Sequence, residues 1–164
     1  MTPNPEIQRL AQALATCTAH RQALIDALDD LQGQRLAADN LAQPDKALRR
    51  LLDQFAYRYT RLQDDMGARL VPATLPALGE PAASFPVIDR LNRLEQLEWL
   101  ASAEEWSDLR RIRNEFAHDY PEAPEERLEG LRIAMTAARR AMGILAEFER
   151  RIHQRFPEIG PAEL

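Results

Sequence analysis

The sequence predicts an all-α fold, an antiparallel bundle of four long helices plus a shorter helix. Its composition favours helix, because aromatic residues make up only 6% and six glycines occur in 164 residues, leaving little from which to build strands. Apolar residues recur at three- and four-residue spacing over long runs, the period of one helix face. The strongest breakers gather in one segment. At this length a single domain with one core is expected over residues 1–164.

The first helix covers about residues 5–35, with Ile7, Leu10, Leu14, Cys17, Leu24, Leu28 and Leu31 on its stripe and Gly33 near its end. Pro44 suits a first helical turn, and the stripe Leu48, Leu52, Phe55, Tyr59, Leu62, Met66, Leu70 marks a second helix that stops before Pro72. A short connection lets the two pair antiparallel. From 72 to 86, Pro72, Pro76, Gly79, Pro81 and Pro86 predict the one substantial loop. A third helix carries Ile88, Leu91, Leu94 and Leu97. Ser102 with Glu105 three residues on reads as a capping box opening a fourth helix. That helix ends near Asp119 or Tyr120, because Pro121 biases the residue before it away from the α region. The last helix begins near Pro124 and buries Leu128, Leu131, Met135, Ala138, Met142, Leu145, Phe148 and Ile152. Trp99 and Trp106 are expected to anchor the packing of the third and fourth helices.

A net charge of −5 argues against a protein that coats nucleic acid non-specifically, and no DNA partner is expected. It leaves room for an RNase with a small, locally basic site. The arginine pairs Arg49-Arg50, Arg110-Arg111, Arg139-Arg140 and Arg150-Arg151 read as solvated helix faces balanced by nearby acids. Asp64 and Asp65 read as solvated carboxylates, and Phe55, Tyr57 and Tyr59 as core or dimer interface. The single cysteine, Cys17, forms no internal disulfide and reads as a buried, inert thiol. No basic start with an apolar run opens the chain and no apolar stretch approaches the ~18–20 residues of a membrane span, so a cytoplasmic protein without a membrane partner is expected. His20, His118 and His153 fall on different helices without ligand spacing; no metal or other cofactor is expected, and His20 and His153 read as surface residues.

The fourth helix carries the chemistry. At ~100° per residue, Trp106, Leu109, Ile112 and Phe116 form its apolar stripe, while Arg111, Asn114, Glu115 and His118 share another face. Arg113 and Tyr120 lie nearer the edge of the stripe. An imidazole, an amide and a guanidinium suffice for RNA cleavage without a metal. A neutral imidazole takes the proton from a 2′-OH, and a guanidinium stabilises the phosphorane charge. The products are a 2′,3′-cyclic phosphate and a 5′-OH. One motif offers a base but no separate acid, so two copies facing across a dimer axis would supply both. On the residues alone the reading stays open, since a histidine near a helix end is more often a surface or capping residue.

The segment Arg113-Asn114-Glu115-Phe116-Ala117-His118-Asp119-Tyr120 resembles the R-x4-H-x-Y signature of HepT toxins, a branch of the HEPN superfamily. A second stretch, Phe55 to Gly67 with its Leu62-Gln63-Asp64 run, is similar to the second helix of the same proteins. The resemblance implies a metal-independent endoribonuclease toxin acting on RNA as a homodimer, with Arg113 and His118 catalytic and Asn114 supporting them. It also implies a minimal nucleotidyltransferase antitoxin of the MNT kind that adenylylates Tyr120. Other relatives in the superfamily suggest the alternative of a non-catalytic docking subunit for a nucleotidyltransferase.

Overall fold

In the computed structural model, which describes residues 2–160, the chain enters its first helix at Asn4, whose Oδ1 accepts the Glu6 N–H at 2.9 Å. Of the single domain expected over 1–164, residue 1 and residues 161–164 lie outside the described residues. Helix α1 (Pro5–Gln32) buries Leu10, Leu14, Cys17, Leu24, Leu28 and Leu31, as its periodicity predicts. A one-turn helix, α2 (Ala38–Ala42), leads to α3 (Lys46–Asp65). Pro44 lies just outside α3 rather than in its first turn, because the Asp45 carboxylate takes the cap position and accepts the Leu48 N–H at 2.8 Å.

The second helix does not stop before Pro72, and the loop expected over 72–86 is shorter. After α3 the backbone makes a π-helical turn, Met66–Leu70, in which the Val71 N–H reaches back five residues to the Met66 carbonyl. The chain then continues as α4 (Val71–Ala77). The wide turn resets the hydrogen-bond register, so Pro72 falls at the start of a new α segment where its missing N–H matters least. Pro76 inside α4 is the real expense, about 3 kcal/mol in a helix interior. Burial outweighs it, since Val71 and Leu75 are both buried and each contributes roughly 1.5–3 kcal/mol. Only residues 78–86 form the loop, turned at Gly79 with φ of 80°.

Helix α5 (Val87–Gln96) buries Leu91 and Leu94, but Ile88, which the spacing puts on the same stripe, is 51% exposed. The helix closes in a Schellman turn. The Trp99 N–H reaches the Leu94 carbonyl at 2.9 Å and the Glu98 N–H reaches Glu95 at 3.0 Å, with Glu98 left-handed at φ 62°. Helix α6 (Ala103–His118) starts at Ser102, whose Oγ accepts the Glu105 N–H at 3.0 Å. The reciprocal half of the expected capping box is absent, because the Glu105 carboxylate pairs instead with Arg140 at 2.7 Å. Helix α7 (Pro124–Arg155) carries that arginine. Its expected buried residues lie in the core or, for Leu128 and Met142, packed against it.

The structure is all-helical among the described residues, and its buried side chains form one contiguous core. Helix α1 packs along α3 and its π-helical and α4 continuation, α6 packs on α3 and α7, and α7 also meets α1. No described helix is long and apolar enough to cross a membrane.

Replacing Glu98 by glycine should stabilise the protein slightly. Left-handed backbone strains a residue with a Cβ by about 1–2 kcal/mol, and glycine's added freedom in the unfolded chain takes back about 0.4–1 kcal/mol. The expected net gain is about 0.5 kcal/mol, read as a higher urea midpoint at unchanged m value. A lower midpoint would mean that Glu98 makes interactions in the turn that outweigh its strain.

Candidate active site at the α3–α6 seam

Three contacts lay α6 antiparallel on α3. At one end the Trp106 ring faces Gly67, where an added Cβ would meet it at an ordinary contact distance of 3.6 Å. At the other end the Phe116 ring meets Phe55 edge-on at 5.8 Å and Tyr59 at 5.7 Å, while Phe55 and Tyr59 stack on each other at 5.7 Å. Between these ends, Arg113 stands opposite Asp64.

Arg113 Nη2 lies 2.5 Å from Asp64 Oδ2, and Nη1 donates to Asn114 Oδ1 at 3.3 Å. The arginine side chain is only 18% exposed, and its Nε is buried without a protein partner. Arg113 therefore sits at the border of buried and wet surface, where the helical wheel places it. Asn114 is exposed and its amide oxygen reaches the guanidinium. These two predicted site residues are brought together.

His118 is the last residue of α6 and exposed, and among the described residues its side chain makes no hydrogen bond or ion pair. Asp119 caps the helix, its N–H reaching the Glu115 carbonyl at 2.8 Å, so Tyr120 lies past the helix end at 85% exposure. Neither His118 nor Tyr120 has a polar contact with Arg113 or Asn114 within the chain. Arg111 and Glu115, which share the predicted polar face, pair with each other at 3.1 Å, and Arg111 also lies 3.7 Å from Asp108. Their charges largely cancel beside Asn114.

Tyr120 lines a groove of about 590 Å³ between α3, α6 and the start of α7. Leu52, Ala56, Ile112, Phe116 and Leu131 give it an apolar floor. Asp53, Glu115, Asp119 and Arg127 supply its charged groups. Neither Arg113 nor His118 lines it. No family model, curated protein or solved structure matches this chain. The site therefore rests on its own geometry.

Of two residues predicted to lie at the surface, Asp65 is buried and His20 is largely covered. His20 is 12% exposed, with Nε2 3.0 Å from Asp65 Oδ2 and Nδ1 3.3 Å from Arg58 Nη1. The approach to Asp65 is an ion-pair distance without hydrogen-bond alignment, so that oxygen has no formal hydrogen-bond partner. Arg69 at 3.4 Å and Arg61 at 4.0 Å also hold Asp65. A buried carboxylate needs such partners, and no spacing rule reveals them when they come from another helix. Asp64 likewise reads as solvated from the sequence and is in fact the counter-ion of Arg113. Nearby, Gln63 is 2% exposed with neither amide atom paired. Cys17 is fully buried, as expected, and burial pushes its thiol up to about 12. Among the described residues no group of three or more His, Cys, Asp or Glu could hold a metal ion.

The Tyr59 hydroxyl is also buried without a partner, and burial pushes it up to about 12 although the Arg113 charge opposes the shift. Tyr59→Phe removes the unpaired hydroxyl and keeps the ring, so stability at neutral pH should stay level or rise by about 1 kcal/mol. In the parent the unfolded phenol ionises near its ordinary 10 while the folded one holds its proton to about 12, so stability falls as pH rises through that interval. The Phe variant lacks this component. Urea midpoints at pH 7 and across pH 10–12 check both; a clear loss at pH 7 would show that the hydroxyl is bonded.

Proposed function

We propose that this chain is a HEPN-type, HepT-like endoribonuclease toxin, with its long helices forming the four-helix HEPN bundle. It acts as a homodimer without a metal and is silenced when an MNT-type nucleotidyltransferase antitoxin adenylylates Tyr120. The observation that carries the reading is the Arg113–Asp64 contact. It joins the two sequence segments that resemble the family, one on α6 and one on α3, and puts a guanidinium beside Asn114 at the edge of solvent.

His118, as neutral imidazole, takes the 2′-OH proton, and the 2′-oxygen attacks phosphorus. The bond from phosphorus to the 5′-oxygen breaks, and a protonated His118 of a second copy supplies the proton to the leaving oxygen. Arg113 bears the charge that builds on the non-bridging oxygens, with Asn114 orienting it. Exposure of His118 suits a group completed by a second copy. A phosphate-bearing adduct on the exposed Tyr120, two residues after His118, would place negative charge and bulk where the RNA phosphate approaches.

The apolar groove beside Tyr120 favours a second reading, in which the chain only docks a nucleotidyltransferase and cuts nothing. The experiment that separates them incubates the protein with RNA in excess chelator and compares a 2′-deoxy substitution at the scissile position. Cleavage is expected in the chelator, to cyclic-phosphate ends, and is lost with the deoxy substrate and with His118→Ala. Equal cutting of the deoxy substrate, or full activity in His118→Ala, would defeat the mechanism.

Regulation is tested separately with ATP, magnesium and the nucleotidyltransferase, mapping adducts by mass spectrometry. Tyr120→Phe should keep its nuclease and escape neutralisation, and adducts confined to other residues would remove Tyr120 from the account. Light scattering should give twice the chain mass, and a monomer that still cleaves RNA would refute the composite site.

A further inference from the structure

A lone surface arginine samples many rotamers, yet Arg113 is four-fifths buried and held by two groups. Asp64 reaches it from another helix, and Asn114 from the next position in its own. This arrangement could serve three purposes: stapling α3 to α6, blocking the guanidinium, or aiming it.

Stapling is already done elsewhere, because Phe116 packs against Phe55 and Tyr59 and the Trp106 ring is buried at the other end of α6. An ion pair whose acid is 44% exposed adds little to that. Blocking would best use a fork, with both carboxylate oxygens on both terminal nitrogens. Here a single Asp64 oxygen takes Nη2, while Nη1 turns to a neutral amide. One hydrogen on each terminal nitrogen therefore has no protein partner. The pair fixes the plane of the guanidinium and leaves donors for a phosphate.

We propose that Asp64 is the positioning residue for Arg113, setting the guanidinium plane before RNA arrives. The proposal rests on the RNase reading for its catalytic consequence, but the ordering of Arg113 does not. Asp64 itself touches no substrate. Its role is exerted through the arginine, so its loss should lower turnover more than binding.

The test uses the full chain as Asp64→Asn, Asp64→Ala and Asp64→Glu, with circular dichroism and thermal melts verifying the fold. Two readouts are taken. In single-turnover and steady-state cleavage, Asn and Ala are expected to lower kcat by roughly ten- to a hundredfold while KM changes by less than about threefold. Glu, which keeps the charge on a longer stem, should recover part of the loss. In parallel, the Arg113 Nε–H resonance, assigned by its disappearance in Arg113→Lys, should be sharp in the parent and shifted or broadened in Asn and Ala. An Asn variant that cleaves as fast as the parent, or faster, overturns positioning in favour of stapling or blocking. If the parent cuts no RNA, the RNase reading fails by itself, and the resonance still decides: an Arg113 signal unchanged in Asp64→Asn refutes the present inference whatever the parent does to RNA.

Discussion

The position of every candidate group depends on the aromatic contact in which Phe116 lies against Phe55 and Tyr59. Each such ring pair contributes about 0.5–1.5 kcal/mol beyond burial, and the partly buried Phe116 ring adds its apolar contact with the core. A half-exposed ion pair is worth about 1 kcal/mol or less. The rings, not the Arg113–Asp64 pair, therefore set the register of α6 on α3. A slip of one helical turn would move Arg113 about 5.4 Å along α3, well out of reach of Asp64. Apolar packing makes the polar geometry possible, and the ion pair only refines it.

The π-helical turn has an equally local cause and a wider effect. By absorbing the register shift ahead of Pro72, it lets one nearly continuous helical rod, from α3 through α4, lie along α1. Asp64 and Asp65 sit at the entrance to that turn, about 100° apart around the helix. Two adjacent carboxylates thereby serve different neighbours: Asp65 goes inward to His20, Arg61 and Arg69, Asp64 across to Arg113. Like charges so close in sequence are tolerated because each has its own cation.

The helices were legible wherever burial alone decides. The stripes of α1, α3 and α7 name most of the large apolar side chains those helices bury but miss Ile144 and small ones such as Ala13, Ala27, Ala134 and Ala141, and the stop at Asp119 follows from Pro121. What was illegible needs knowledge of what stands across the gap. Pro72 and Pro76 read as breakers because the π turn and the burial of α4 are tertiary facts. Ile88 fits a stripe whose outer end meets no neighbour. His20 and Asp65 each look like surface residues, and only the meeting of α1 with α3 buries Asp65 and covers most of His20. In the candidate site the same division holds: the pattern places Arg113 at the edge of the apolar stripe and Asn114 on the adjacent polar face, but it cannot show that Asp64, 49 residues earlier, completes them.

Charge then narrows how the proposed reading would work. With a net charge of −5, and with Arg111, Arg140 and Arg150 each matched to a glutamate, the surface offers little long-range attraction for a polyanion. The groove beside Tyr120 contributes more acids than bases. An RNase built this way does not gather RNA by a basic field and then cut whatever arrives. Its recognition has to be short-ranged, through a few donors held in place beforehand, with Arg113 the one that is already held. A guanidinium that meets a phosphate at short range gains from being ordered in advance, because less freedom is lost when it binds. In the RNase reading, a weakly attractive surface and a tightly held Arg113 belong together, because short-range recognition by few donors needs those donors held in place.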